Sequence, residues 1–227
     1  QAMDQMILDA YEAKVAPLRQ QDRENPGSLV ADPPQSFALL RSHAEPKLRW
    51  VDGTPVNTGF AVGLKRFFPG LRFVHILRDP DDALRSMLNF HRLDSARWDA
   101  AAAAKEWRNQ VWKARLVEQA YGKECVLRVW HRQLTEDPEG MLRRVMEFLE
   151  EPFDANCLLP LKKKINSSSV SERDALPSKI QKLDLYKDGL RIYQELLEHD
   201  VPDSPDEGAL KQLEKLFLLV TERNFRS

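Results

Sequence analysis

Cysteine is almost missing from this chain of 227 residues, with Cys125 and Cys157 the two examples. So few thiols argue against a disulfide framework, and no Cys/His spacing suited to a metal ion is present. Cys125 lies in an apolar run and reads as a small buried hydrophobe. Long apolar runs are missing too: none approaches the roughly 18 residues that a membrane span requires, and the N-terminus shows no signal-peptide pattern. A cytoplasmic protein without a membrane span is expected. Charge of one sign is also lacking. Lys+Arg number 34 against 35 Asp+Glu, a net charge of −1, so bulk electrostatics give no pull toward nucleic acid or a membrane surface. Glycine is sparse as well, nine in all. None of Gly27, Gly53, Gly59, Gly63, Gly70, Gly122, Gly140, Gly189 and Gly208 sits in a Walker-type phosphate loop.

What is present is ordinary for a globular protein, 42% hydrophobic and 30% charged residues. That is enough for one sizeable core, and residues 1–227 read as a single domain. The chain is organised around Leu71–Leu88. A run rich in β-branched and aromatic residues (Phe73, Val74, Ile76) follows the Pro69-Gly70 turn and reads as a buried strand. Asp79-Pro80 then supplies an N-cap carboxylate and a proline at the first helical position. Ala83, Leu84, Met87 and Leu88 make the inward face of the helix that follows. Arg78 and Ser86 do not fit that packing role. Open α/β sheets bind ligands beyond the carboxyl ends of their strands. An arginine there offers a planar fork for phosphate oxygens, and a serine adds a hydroxyl donor. The plainer alternative pairs Arg78 with Asp81 or Asp82 and leaves Ser86 to solvent.

In chain order, residues 1–20 read as a helix, Gln21 to Pro34 as a loop, and Phe37 to His43 as a further short helix. Leu48 to Asp52 reads as a strand and Val56 to Phe68 as a helix, which with the strand at 71–77 predicts a parallel βαβ unit. Residues 95–121 form a long helix closed at Gly122, whose Trp107 and Trp112 read as core. Glu124 to Trp130 is a second apolar strand. Asp137-Pro138 opens a helix with Leu142, Val145, Met146 and Leu149 inward, closed by Glu150 to Phe153. Lys162 to Ser169 is a basic, hydroxyl-rich loop, and 178–199 and 207–223 are helical cover. His75 reads as a satisfied core histidine, and neither His91 nor His131 has a better claim to chemistry.

Arg78-Asp79-Pro80 after an apolar strand, with a serine eight residues beyond the arginine, resembles the 3′-phosphate-binding segment of the sulfotransferases that use 3′-phosphoadenosine 5′-phosphosulfate (PAPS). Trp50 to Pro55 is similar to the family's Thr-Pro segment, with Gly53 where many members carry lysine. The second strand and its Asp-Pro helix also fit, although the usual Tyr-Glu-Asp-Leu element reads His131-Arg132-Gln133-Leu134. Ile165-Asn166-Ser167-Ser168 resembles a loop that folds over the nucleotide in bacterial members. The resemblance covers roughly residues 40–175. It implies a three-layer α/β/α fold with a mostly parallel sheet, related to P-loop kinases. It also implies Arg78, Ser86 and Ser168 as nucleotide ligands, PAPS as co-substrate, adenosine 3′,5′-bisphosphate (PAP) as product, and no metal.

The implied reaction moves a sulfuryl group to an acceptor hydroxyl or amine, small or carrier-bound, after a base removes the acceptor proton. Asp52, at the end of its expected strand, is the first candidate base, and His43 the second. The family's 5′-phosphosulfate loop, a Pro-Lys/Arg-Ser-Gly-Thr-like turn, is not found: Arg41-Ser42-His43 lacks the glycine. A sequence that starts downstream of that loop is the simplest expectation, and loss of activity the other. A nucleotide kinase and a non-catalytic nucleotide- or partner-binding relative are the rival functions. The acceptor and the oligomeric state are not legible.

Overall fold

The computed structural model describes residues 51–89, 99–159 and 176–225. The expected helices at 1–20 and 37–43, most of the expected first strand, His43, and the Lys162 to Ser169 loop with Ser168 lie outside those residues. The chain divides at Gly53–Thr54 into two units, and the elements below all belong to the second.

Thr54 precedes a 3₁₀ turn, Pro55–Phe60, which runs directly into helix α1, Ala61–Phe67. Strand β1 is Phe73–Leu77. Helix α2, Pro80–Asn89, starts at the expected proline, and Asp79 Oδ1 accepts from the Asp81 N–H at 3.0 Å and the Asp82 N–H at 3.4 Å. Helix α3, Ala100–Tyr121, is capped by Asp99, whose carboxylate accepts from the Ala102 N–H at 2.7 Å. It stops at Gly122, where φ is 66°. An L side chain is strained in that conformation, and a Cβ there would also stand 3.1 Å from the Pro202 carbonyl. Strand β2 is Val126–Trp130.

The expected turn after β2 is instead a short helix, α4, His131–Glu136. Helix α5, Pro138–Leu149, is capped by Asp137, which accepts from the Gly140 N–H at 2.9 Å, and ends in left-handed Glu150. The expected helix at 178–199 is two helices, α6 (Ser178–Gln181) and α7 (Asp184–Glu198), broken at Lys182-Leu183. Helix α8, Glu207–Phe225, completes the described chain.

β1 and β2 pair in parallel, Phe73 opposite Val126 through Leu77 opposite Trp130. The parallel pair is thus made across α2 and α3. Val51 and Asp52 carry no regular structure, so the βαβ unit expected from Leu48–Asp52 is not formed by its described residues. Val51 is 89% exposed.

The alternation of strand side chains sorts the layers. On one face Val126 packs with Ala61, Leu116, Val117 and Leu213, while Leu77 packs with Leu84, Trp107, Val111, Ile192 and Leu196. On the other face Leu127 and Val129 meet Met141 of α5, flanked by Leu134, Val145 and Phe148. Helices therefore cover both sides of the parallel pair, the three-layer arrangement expected. Trp107 is core, as read. Gly189 of α7 admits it: a Cβ at that position would lie 2.5 Å from Trp107 Cζ3.

One polar group is buried in the first interface. Glu118 of α3, 1% exposed, binds Arg128 of β2, 8% exposed, through both carboxylate oxygens. His75 Nδ1 lies 2.7 Å from Glu118 Oε1. His75 is therefore the satisfied histidine that its strand position suggested. Both cysteines are free thiols, and Cys125 packs against the core cluster around Val126.

Candidate active site at the carboxyl end of the sheet

Arg78 leaves β1 at its carboxyl end and precedes the Asp79 cap of α2. Its Nε is buried and has no hydrogen-bond partner. The acidic residues around it have partners of their own. Asp79 takes two N–H groups of its own helix, and Arg85 pairs with Asp82. The phenol of Tyr186 donates to Asp81 Oδ1 at 3.1 Å. The plainer alternative, an Arg78 satisfied by Asp81 or Asp82, is thus not what the fold shows at Nε. Because Asp79 already occupies the helix N–H groups, an anion arriving here must be met by side chains. An unmade bond at a buried donor costs about 1–3 kcal/mol, so an acceptor placed at Arg78 relieves a standing penalty.

Ser86 is half-buried on α2. It falls four residues after Asp82 and seven after Asp79, on the same side of the helix as both. Arg78 and Ser86 are therefore held by one strand–turn–helix segment, anchored by Leu84, which is fully buried.

Three further residues belong to this end of the sheet. Tyr186 and Tyr193 of α7 are 8% and 9% exposed. Tyr186 stacks toward Trp107 with ring centroids 5.8 Å apart, and Tyr193 meets the Trp130 ring edge-on at 5.6 Å. Burial together with the charges of Asp81 and Asp79 pushes the Tyr186 phenol up to about 12. Burial and Asp79 raise Tyr193 in the same direction. Both phenols therefore stay protonated at neutral pH, and Tyr186 pins the first turn of α2 from a helix 105 residues away in sequence. These tyrosines had seemed only to finish the helical cover. The third residue is His131, which burial and the charge of Arg78 hold below the usual histidine range against the pull of Asp82. Its replacement of the usual tyrosine was the available signal.

Asp52 is exposed in the irregular segment before the 3₁₀ turn, so the strand end on which its candidacy rested is absent. A cavity of about 380 Å³ lies along β2, lined by Lys123, Arg128, Gln133 and Arg144 among others. Lys123 is paired with Asp203 and Arg128 with Glu118. Among the described residues no His/Cys/Asp/Glu group is arranged to hold a metal ion, and no helix is long and apolar enough to cross a membrane.

A parallel pair of strands covered by helices on both faces places the chain among the layered α/β proteins. The sequence model of the sulfotransferase family matches residues 4–155, and the chain belongs to that family. It is similar to protein-tyrosine sulfotransferase A of Caenorhabditis elegans, 26% identical over 147 residues that make up 58% of this chain. That stretch is 36% of the worm protein, so the match spans about a third of its length. Among solved structures it resembles a sulfotransferase domain from the curacin biosynthetic pathway, with a TM-score of 0.50 and 17% identity. That alignment covers 74% of this chain and 68% of the other. The second likeness shows the fold, an α/β sulfotransferase domain.

Proposed function

We propose that the chain takes part in transfer of a sulfuryl group from PAPS to an acceptor hydroxyl or amine. The observation that carries this is the buried, unpartnered Nε of Arg78 at the carboxyl end of β1, where the family resemblance puts a 3′-phosphate ligand. Arg78 binds and orients that phosphate by charge-assisted hydrogen bonds, and Ser86 adds a hydroxyl. Tyr186 holds the first turn of α2, beside the arginine, which limits the ordering that binding demands. The bound donor supplies the reactive sulfuryl group, and PAP leaves.

For the acceptor proton Asp52 is the base we propose, with His43 second. The role requires hydrogen-bond reach of the acceptor's proton. The name of the worm relative makes a phenolic hydroxyl the first acceptor to assay. The location that goes with this reading is the cytoplasm, as expected from the sequence.

The experiment is a calorimetric titration with PAP and with adenosine 5′-monophosphate (AMP), which differ by the 3′-phosphate. PAP should bind about tenfold or more tightly, the return for one charged hydrogen-bonded contact of roughly 1.5–3 kcal/mol. Equal affinities would refute the reading.

A further inference from the structure

His131 stands at this same site without a part in the function proposed above. It is the first residue of α4 and follows Trp130 directly, and Trp130 is the register partner of Leu77. Arg78 and His131 thus follow directly on the last paired residues of two neighbouring strands, which lie about 4.8 Å apart. Burial and the charge of Arg78 hold His131 below the usual histidine range, while Asp82 pulls the other way.

Several of the charges on the elements packed around His131 are committed elsewhere, though Arg144 and Glu147 of α5 are not among them. On its own helix Arg132 pairs with Glu136, and on α5 Arg143 pairs with Glu139. Asp137 caps α5, and Arg128 of β2 is turned to Glu118. In the turn before α2, Asp79 takes two backbone N–H groups, and Asp81 accepts from Tyr186. Of the nearby charges, Arg78 and Asp82 act on His131 beside the effect of burial, so an anion bound at Arg78 changes the field there.

We propose that His131 is the proton-sensitive member of the 3′-phosphate subsite, neutral in the free protein and protonated when a phosphate binds at Arg78. A dianionic phosphate beside Arg78 offsets the part of the lowering that the arginine's charge adds to burial, and it contributes an attraction of its own. The proton comes from solvent, and both ring nitrogens then carry N–H donors. Linkage makes the effect reciprocal: a ligand that favours the protonated ring is itself bound more tightly when protons are plentiful. The sign follows. Affinity for a 3′-phosphorylated nucleotide rises as the pH falls through the range in which histidine titrates. The tyrosine usual at this position has no charge to change there, so the behaviour would set this chain apart from relatives that carry it. The proposal rests on Arg78 and Ser86 being phosphate ligands.

The test titrates PAP and AMP into the wild-type chain, His131→Gln and His131→Tyr at about pH 5.5 and pH 8, in two buffers of different ionisation enthalpy. His131→Tyr restores the family's own side chain and guards against a variant that merely misfolds. The phosphate's own second ionisation, near pH 6, is common to all three proteins and drops out of the comparison. Toward acid, wild-type affinity for PAP should improve over that of the variants about tenfold for each unit by which binding raises the histidine. The wild type should also take up more protons on binding PAP. Identical pH dependence and proton uptake in the three proteins would overturn the role of His131 and leave Arg78 and Ser86 in place. Equal affinity for PAP and AMP in the wild type at both pH values would overturn both.

Discussion

Arg128→Met removes the cation from the buried pair that ties α3 to β2. Its guanidinium makes four bonds: Nε donates to Glu118 Oε1 at 3.0 Å and Nη2 to Glu118 Oε2, while Nη1 donates to the carbonyls of Leu196 at 2.6 Å and His199 at 2.5 Å. Methionine fills part of the volume and makes none of them. It leaves a carboxylate that is 1% exposed with His75 as its remaining side-chain partner, and it strands two carbonyls at the end of α7. Removing one partner of a buried ion pair costs about 3–5 kcal/mol. For a chain of this size each kcal/mol lowers Tm by about 2–4 °C, so the melt should fall on the order of 10 °C. Circular dichroism at neutral pH measures it.

The same pair predicts an acid limb. Burial pushes Glu118 up, but the hydrogen bonds from Arg128 and His75, with their charges, outweigh it and hold the carboxyl below 4.5. A folded value below the unfolded one means stability that is present above about pH 4.5 and lost as the pH falls through the folded value. The gap between wild type and Arg128→Met should therefore narrow in acid. Replacing both partners, Glu118→Leu with Arg128→Met, should cost less than Arg128→Met alone, because no charge is then left buried. A single variant that melts within a degree or two of wild type would refute the reasoning.

Gly189→Ala drives a Cβ to 2.5 Å from Trp107; the overpacked α3–α7 contact should cost about 1–3 kcal/mol, read from a denaturant midpoint. Asp52→Asn keeps the size of the side chain and removes its basic oxygen, so sulfuryl transfer should drop about 10²–10⁴-fold with PAP affinity unchanged. A normal rate there, with a large loss in His43→Gln, would hand the base role to His43.

Much of this fold is written locally. Asp79-Pro80, Asp99, Asp137-Pro138 and Gly122 each set a helix boundary by capping chemistry or positive φ, which depend on a few neighbouring residues. The break at Lys182-Leu183 was hidden because the apolar spacing of 178–199 runs through it. Arg78 and Ser86 were legible because one short segment carries both. His131 was not, since its place beside Arg78 depends on the register of two strands some fifty residues apart. Glu118 offered even less: a charged residue late in an amphipathic helix looks like a solvated one until β2 brings Arg128 to it. Asp52 shows the opposite failure, a strand read from β-propensity in a segment that has no strand at Val51 and Asp52.

The central claim is that Arg78 grips a 3′-phosphate, and a cycle that deletes each partner tests it most directly. PAP and AMP are titrated into wild type and Arg78→Ala, and the ligand difference in one protein is compared with that in the other. The account predicts a coupling of about 1.5–3 kcal/mol, with the preference for PAP largely erased in Arg78→Ala and reduced less in Ser86→Ala. A preference of the same size in wild type and Arg78→Ala would contradict it.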